Sequence, residues 1–519
     1  MTVNDSARGG RVLLTAAEAY PALEQLFLQS EHTIRASFMV FDLTTRLRSP
    51  EGLAIGKTWF DLIVHTLRRG VRISMVVSDL DPVMRPRMHR GTWRTIRMFH
   101  AAAELADAPH NLDVVPAMHA SETGLGVRVL LWPVILRRLA RTARWLNRLT
   151  PDLRTAALRE IPGVAYRLRF RDDGTVRPRF WPVPRLFPGV HHQKIAVFDG
   201  RRLYVGGLDL DERRYDSPAH DRPSAQTWHD VQLVIENGPE PSAAEEHLKS
   251  FLGIIEGKAE AGPQIGVLRT LSRKRRNQHW HLGPEPVVNE LREAHFAAVR
   301  GAKRLIYLET QYFRDRGLAK ALADAARTNP ALTLMLILPG APDDLAFGRK
   351  AGLDVRGGEW LQSRCLRRIE KAFGPRLFIG GPVQRRRWRS DHPLGRDGLH
   401  GAPIIYVHAK VSVFDDDCAL VSSANLNGRS LRWDTEAGVR LSDPEAVLGL
   451  RQRIMAHWLP PDAAPGYFDP ARAVGLWNRL ALENARLVPE RRRGFIVPYD
   501  IRKAERDGHV VPLLPEELV

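Results

Sequence analysis

One eight-residue pattern occurs twice in this chain of 519 residues. The segment HQKIAVFD begins at His192 and the segment HAKVSVFD begins at His408, so that both read His-x-Lys-x4-Asp. A short motif can arise by chance, but a three-position pattern repeated with matching apolar residues inside it is a much stronger signal. The duplication predicts two similar halves that each contribute one copy of the pattern to a shared site.

The spacing inside the pattern predicts which side chains act together. Side chains alternate between the two faces of a β-strand, so a histidine and a lysine two positions apart point to the same side. The apolar and β-branched residues that follow are typical of a buried strand, where His and Lys need an anionic partner or a polar cavity. Asp199 and Asp415 lie seven positions after the histidines and face elsewhere. We expect them to be structural, pairing with backbone or basic groups near the strand ends.

The lysine in both copies is unusual for this chain, which contains 66 Arg and only 11 Lys. An ammonium group is a compact point charge, whereas guanidinium is a planar fork suited to bidentate pairing. Lys194 and Lys410 are therefore expected to place a point charge against a phosphoryl oxygen. The alternative, two surface strands with a solvated His and Lys, does not explain why the same pair occurs twice.

Helical and strand patterns alternate in the same order on both sides of the middle of the chain. Helices are predicted at 17–31, 57–69, 287–300 and 318–327, and strands at 33–41, 71–77, 304–309 and 332–338. This alternation predicts an α/β fold in which each half has a mixed or parallel sheet flanked by helices. We expect pseudo-symmetric halves at 1–240 and 241–519, with the active site at their interface.

The first half is longer than the second before its motif, and we place the extra residues at about 109–188. A basic amphipathic helix is predicted there at 134–149, with leucines on one side and Arg137, Arg141, Arg144 and Arg148 on the other. Such a helix can lie in a lipid interface, or it can dock on its own protein with a solvated basic face. The linker between the halves is expected at 237–241, and a C-terminal extension from about 459.

The net charge of +18 and the isoelectric point near 10.3 indicate attraction to polyanions, either nucleic acid or an anionic membrane surface. The two cysteines provide neither a disulfide framework nor a zinc pattern. No secretory signal and no run of about 18 apolar residues is visible, so we expect a cytoplasmic protein that visits membranes peripherally.

The motifs and their flanks resemble the phospholipase D superfamily. After the first motif come GGLDL at 206–210, RYD at 214–216 and WHDV at 228–231, in the order found in eukaryotic-type phospholipases D. After the second comes SSANLNGRS at 422–430, and the segment AVRGAKRLIYLETQYF at 298–313 is similar to the strand that opens the second half of the family. The resemblance spans most of residues 30–445 and is more specific for the superfamily than for the substrate.

The resemblance implies a covalent mechanism. His192 would attack phosphorus and form a phosphohistidine, while His408 would protonate the leaving alcohol and then activate water or another alcohol. Lys194 and Lys410 would stabilise charge on the phosphoryl oxygens. The expected substrate contacts around them are Gly207, Asp209, Ser423 and Asn425. The mechanism requires neither a metal nor a cofactor, and we expect none.

Each catalytic imidazole also needs an acceptor on its second nitrogen, which fixes the tautomer. Aligning the two halves puts Asp230 and Glu436 at equivalent places, because each opens a strand after its motif. We expect Asp230 to orient His192 and Glu436 to orient His408, so that each pair lies within one half.

The leading interpretation is a phospholipase D that hydrolyses or transphosphatidylates glycerophospholipids to phosphatidic acid. A phospholipid synthase of the cardiolipin type would use the same histidines, although it usually has N-terminal membrane helices. A nuclease fits the positive charge, but single-motif nucleases of the superfamily are much shorter. A non-catalytic lipid-binding module would usually have lost a His or Lys. We expect a monomer with a phospholipid substrate, an anionic membrane surface as partner, and nucleic acid as the less favoured one.

Overall fold

A computed structural model of the chain describes residues 10–275, 279–348, 352–389, 395–511 and 515–518. The strands of the first half are β1 (Arg11–Leu14), β2 (Thr33–Phe38), β3 (Arg72–Asp79), β4 (Leu112–Met118), β5 (Leu168–Phe170), β6 (Val176–Pro178), β7 (Ile195–Phe198), β8 (Arg202–Gly206) and β9 (Val231–Glu236). Those of the second half are β10 (Leu268–Arg273), β11 (Glu285–Asn289), β12 (Leu305–Thr310), β13 (Thr333–Ile337), β14 (Leu377–Pro382), β15 (Gly398–Leu399), β16 (Ala402–Pro403), β17 (Lys410–Phe414), β18 (Cys418–Ser422), β19 (Glu436–Leu441) and β20 (Ile496–Pro498).

Helices flank both sheets and also build the additional segments. They are α1 (Thr15–Leu28), α2 (Pro50–Ile55), α3 (Trp59–Arg68), α4 (Pro86–Leu105), α5 (Leu125–Leu130), α6 (Trp132–Asn147), α7 (Pro151–Arg159), α8 (Pro239–Ile255), α9 (Glu290–Gly301), α10 (Arg316–Thr328), α11 (Asp343–Ala346), α12 (Leu353–Phe373), α13 (Gly428–Arg432), α14 (Pro444–Trp458), α15 (Ala473–Arg486) and α16 (Ile501–Asp507). No helix in the described ranges combines the length and the apolarity needed to cross a bilayer.

The two large sheets have the same strand order. The first runs β1-β9-β8-β7-β2-β3-β4, and the second runs β10-β19-β18-β17-β12-β13-β14, extended by β11 at one edge and β20 at the other. In both sheets three strands are parallel, and the motif strand, β7 or β17, pairs antiparallel with the first of them. The predicted fold class, two similar mixed α/β halves, is confirmed.

The aspartate that ends each motif accepts backbone hydrogen bonds that stabilise the turn after the motif strand. Asp199 accepts hydrogen bonds from the backbone N–H groups of residues 31–33, and Asp415 accepts them from residues 303–305, at 2.7–3.0 Å. Both aspartates have positive φ angles, 51° and 53°. Each therefore anchors the motif strand to the start of its neighbour, β2 in the first half and β12 in the second.

The halves share one apolar core. It joins residues of β7, β8 and β9 to residues of β17, β18 and β19, among them Ile195, Val205, Leu233, Val411, Val421 and Val439. Helix α8 packs into the same cluster through Leu248 and Phe251. The expected linker at 237–241 instead contains the start of α8, because proline at the first helical position initiates a helix as readily as it breaks one.

The additional elements of the first half lie between β4 and β7. Residues 109–118 belong to the sheet, as a short 3-10 turn and β4, so the insertion starts later than the sequence patterns indicated. Helix α6 covers most of the expected basic helix and buries Ile135, Leu139 and Leu146. Its four predicted arginines are exposed.

The C-terminal extension is part of the second half. Strand β20 pairs antiparallel with β14, and α15 packs beside it. Trp477 of α15 is completely buried against Tyr307 and Phe378 of the sheet. The extension therefore covers a sheet edge that would otherwise offer unpaired backbone groups.

Candidate active site

Both motif histidines lie where the halves meet. Just before each of them the backbone forms a parallel bridge to the opposite half, His191 with Thr435 and Val407 with His229. Each bridge lies beside the opening of a long strand of that opposite half, β19 in one case and β9 in the other. Each motif histidine therefore lies next to the first residues of a strand that belongs to the other half.

These bridges determine which carboxylate hydrogen-bonds to each motif histidine. His192 Nδ1 lies 3.0 Å and 3.1 Å from the two oxygens of Glu436, and His408 Nδ1 lies 2.6 Å from Asp230 Oδ2. The expected pairing of Asp230 with His192 and of Glu436 with His408 is therefore wrong. The two carboxylates do occupy equivalent places, but the contact between the halves exchanges their partners.

This arrangement fixes the chemistry of both imidazoles. With Nδ1 bonded to a carboxylate, Nε2 is the nitrogen that can meet phosphorus or donate a proton. Burial, followed by nearby cations, lowers the pKa of both histidines well below its ordinary value. Burial raises the pKa of Asp230 and Glu436 to about 7. Neutral imidazoles suit a nucleophile, and an entering phosphodiester anion supplies the negative charge that favours protonation of the other ring.

The first-motif lysine has a carboxylate partner of its own. Lys194 is completely buried, its Nζ lies 3.6 Å from Asp209 Oδ2, and Arg214 donates to the same oxygen. Burial alone would raise the pKa of Asp209, but the charges of Lys194 and Arg214 outweigh it and lower that pKa. Asp209 therefore pairs with these two cations, and its expected contact with substrate stays a prediction.

The second half differs at the corresponding position. Asn425 stands where the first half has Asp209, and its amide donates to Gln311 Oε1 at 3.3 Å. Lys410 therefore lacks the counterpart of Asp209, and burial lowers its pKa to about 7. Asn425 Oδ1 is buried without a hydrogen-bond partner among the described residues. Of the two motif lysines, Lys410 is stabilised more by an anionic substrate, because its buried charge has no counterpart of Asp209 when the site is empty.

Gly207 and Ser423 occupy matching positions behind the histidines. Ser423 is completely buried and its hydroxyl donates to Glu436 Oε2, while a Cβ atom at Gly207 would collide with the carboxylate of Asp230. Both were expected to contact substrate. The structure places both beside these carboxylates, and their contact with substrate stays a prediction.

Trp228 was not assigned a role from the sequence. Its ring lies 4.5 Å from that of His408 between centroids, and the Arg214 guanidinium lies 5.1 Å from the Trp228 ring. The signal was present, because Trp228 belongs to the same WHDV segment as Asp230. The side chain forms one wall beside the second catalytic histidine.

A cluster of three further histidines was also missed. His220, His229 and His457 each place one ring nitrogen within 4.8 Å of the others, close enough to hold a metal ion. No metal was expected because the mechanism requires none, and His457 lies 237 residues after His220 in the sequence. None of the three belongs to either His-x-Lys-x4-Asp motif.

Comparisons with known proteins match the second half most clearly. Residues 296–458 match the family model described as "Cardiolipin synthase, PLD-like domain". Phospholipase D1 of Schizosaccharomyces pombe is 24% identical over 339 residues, covering 48% of this chain and 24% of its own length. Cardiolipin synthase 2 of Bacillus anthracis is 22% identical over 300 residues, covering 56% of this chain and 50% of its own length. The chain thus spans between a quarter and a half of the length of these curated relatives.

Among solved structures, a phosphatidylserine synthase of Haemophilus influenzae Rd KW20 matches 92% of this chain and 95% of its own, with a TM-score of 0.49 and 11% identity. Two complete His-x-Lys-x4-Asp motifs lie on equivalent strands of two matching sheets. Together with the family match and the curated relatives, they support the assignment of this chain to the phospholipase D superfamily.

Proposed function

We propose that this protein is a phospholipase D-type phosphodiesterase that transfers a phosphatidyl group through a phosphohistidine. The observation that carries the proposal is the pair of imidazoles, His408 buried and His192 partly buried, each held at Nδ1 by a carboxylate and accompanied by a buried lysine. His192 Nε2 forms a bond to phosphorus, the bond from phosphorus to the headgroup oxygen breaks, and protonated His408 gives that oxygen its proton.

The second step returns the enzyme to its starting state. His408 takes a proton from water, the water oxygen bonds to phosphorus, and the bond to His192 breaks, which releases phosphatidic acid. Lys194 and Lys410 stabilise the charge on the phosphoryl oxygens in both transition states. An alcohol that replaces water gives a phosphatidyl alcohol instead of phosphatidic acid.

A second candidate is a cardiolipin synthase-type phosphatidyltransferase. It is favoured by the match of residues 296–458 to the cardiolipin synthase family and by relatives of that name. The two activities share the first step and differ only in the acceptor, water in one and a lipid hydroxyl in the other.

Exposed apolar side chains on the insertion and beside it support a lipid substrate. They are those of Leu130, Phe180, Trp181 and Trp280, which are 70–75% exposed, and we call them the apolar tip. The ring of Trp132 meets that of Phe180 edge to face at 5.9 Å, and the ring of Trp280 lies against Gly126. Large apolar side chains that cluster in solvent mark a surface that meets another apolar phase.

The surroundings of the apolar tip carry positive charge. Residues 124–150 contain six arginines and no acidic residue, and Arg179 and Arg185 flank Phe180 and Trp181 in the sequence. Aromatic residues bordered by arginines are typical of proteins that lie at an anionic lipid interface. The same segment is tied to the site, since the N–H of Val190 donates to Asp434 at 2.9 Å. We therefore propose that the enzyme acts at an anionic membrane surface.

The deciding assay offers all candidate substrates at once. Mixed phospholipid vesicles, a soluble short-chain phospholipid, and supercoiled DNA are incubated with the protein in the presence of ethanol. We expect phosphatidic acid and phosphatidylethanol, and intact DNA. Cardiolipin as the main product would support the second candidate, whereas nicked DNA without lipid turnover would refute both.

Replacing Phe180 and Trp181 with serine should weaken binding to anionic vesicles by about 100-fold. Each buried aromatic side chain contributes about 1.5–3 kcal/mol, and the two together exceed the 2.7 kcal/mol that corresponds to this factor. Activity on the short-chain substrate should stay unchanged, because neither ring belongs to the catalytic pairs. Vesicle co-sedimentation and the two activity assays measure the difference.

Leu482 provides the matched control, because it is 52% exposed on α15 in the C-terminal extension. Leu482→Ser should leave vesicle binding unchanged. An equal loss of activity on vesicles and on the soluble substrate in the double variant would mean that the rings support the fold rather than the interface.

A further inference from the structure

We propose that His220, His229 and His457 bind a divalent transition-metal ion, with Zn²⁺ as the first candidate, and that this ion fastens the two halves together behind His408. His220 and His229 belong to the first half, in the segment that leads into β9, whereas His457 lies near the end of α14 in the second half. One ion bound by all three would therefore cross-link the halves.

The donor atoms converge in a buried space. The Nε2 atoms of His220 and His457 lie 2.8 Å apart, and ligand atoms of all three residues lie within 4.8 Å of one another. His229 is completely buried, and its Nδ1 has no hydrogen-bond partner among the described residues. A buried ring nitrogen without a partner is costly, and a metal ion would satisfy it.

In two of these rings, the nitrogen that faces away from the cluster bonds to a carboxylate, as is usual for metal-binding histidines. His220 Nδ1 lies 2.7 Å from Asp216 Oδ2, and His229 Nε2 lies 3.1 Å from Glu309 Oε2. A carboxylate that accepts from the distal nitrogen fixes the tautomer, leaves the other nitrogen with a free lone pair, and makes it more basic. Asp216 and Glu309 are themselves buried and bonded to further groups, Trp228 N–H and Trp458 Nε1–H respectively.

The chemistry of the donors points to a borderline metal. Three neutral imidazoles suit Zn²⁺, Co²⁺, Ni²⁺ or Cu²⁺, whereas Ca²⁺ and Mg²⁺ require oxygen ligands. A tetrahedral Zn²⁺ with bonds of about 2.0–2.1 Å separates its nitrogens by roughly 3.3 Å, so the rings of His220 and His457 would part by about half an ångström. Water would complete the coordination.

The position of the cluster gives such an ion a structural role. His229 lies between Trp228, which packs on His408, and Asp230, which orients it. The His229 carbonyl also accepts the backbone N–H of His408 at 2.8 Å. Holding the His229 ring to α14 would fix both neighbours, so the three histidines are positioning residues for the second catalytic imidazole.

Metal analysis of the full chain tests this proposal directly. Protein purified without chelators or affinity-tag metals should contain about one equivalent of Zn²⁺ per chain by elemental mass spectrometry. Removal with dipicolinate should lower the thermal unfolding midpoint, and added Co²⁺ should give the visible absorption bands of tetrahedral cobalt. Less than a tenth of an equivalent after growth with added zinc, and no cobalt bands, would show that a hydrogen bond between His220 and His457 is all that joins them.

Variants separate the metal site from general stability. His457→Ala should abolish the cobalt bands, and Asp216→Asn should weaken metal binding by about 10- to 100-fold, because it removes only the orienting carboxylate. His295 is the control, since it is buried and both of its nitrogens are bonded, to Leu291 and Ser412. His295→Asn should retain the full metal content even if its unfolding midpoint falls. Equal metal loss in the control, or none in His457→Ala, would overturn the assignment.

Discussion

Replacing His408 with alanine is expected to trap the phosphatidyl group on His192. The variant lacks the acid for the first step, but a nitrophenyl phosphodiester has a leaving group that needs little protonation, so that His192 can still attack. Water is no longer activated in the second step, so an acid-labile adduct of one phosphatidyl group per chain should accumulate. Turnover of natural lipids should fall by about 10⁴-fold or more, as when other catalytic units lose one member.

The matching variant distinguishes the two histidines. His192→Ala should form no adduct with any substrate, since the nucleophile itself is absent. Rapid quenching followed by peptide mapping gives the site of attachment. An adduct on His408 of the wild-type protein would exchange the two roles while leaving the crossed arrangement unchanged.

The crossed carboxylates lead to a second large and specific effect. In a protein that already carries His408→Ala, Glu436→Gln should slow adduct formation by about 10²–10⁴-fold, because Glu436 orients His192. Asp230→Asn in the same background should have little effect on that rate, because its partner is already gone. Stopped-flow release of nitrophenol measures both rates.

The two substitutions serve as controls for each other. Both replace a buried carboxylate with an amide of nearly the same shape, and both carboxylates have a pKa raised to about 7 by burial. Pairing within each half would give the opposite result, with Asp230→Asn slowing adduct formation and Glu436→Gln leaving it unchanged. Equal slowing of adduct formation by both substitutions would mean that the carboxylates act through their charge and not by orienting one particular histidine.

Much of the fold could be predicted because its signals are local. The period of apolar residues and the alternation of helical and strand patterns gave most core elements to within a few residues. The linker was misplaced, because the same proline pattern marks a loop and a helix start. The insertion boundary was misplaced as well, because β4 has exposed residues and reads as a loop.

The candidate site depends partly on contacts between distant parts of the chain. Strand parity placed His192 beside Lys194, and alignment of the halves found both carboxylates. Which carboxylate meets which histidine depends on contacts across 178 and 244 residues of chain, which no local pattern contains. The same applies to His220 and His457, which are 237 residues apart.

The exchange of carboxylates between the halves also bears on how such a chain could arise. Neither half alone holds a complete histidine and carboxylate pair, since Asp230 serves His408 and Glu436 serves His192. A single-motif ancestor with this geometry could have worked only as a two-fold homodimer, in which each subunit lent its carboxylate to the other. Joining the two copies in one polypeptide allowed them to diverge, and one such difference is Asp209, which pairs with Lys194, where the second half has Asn425 at the equivalent position.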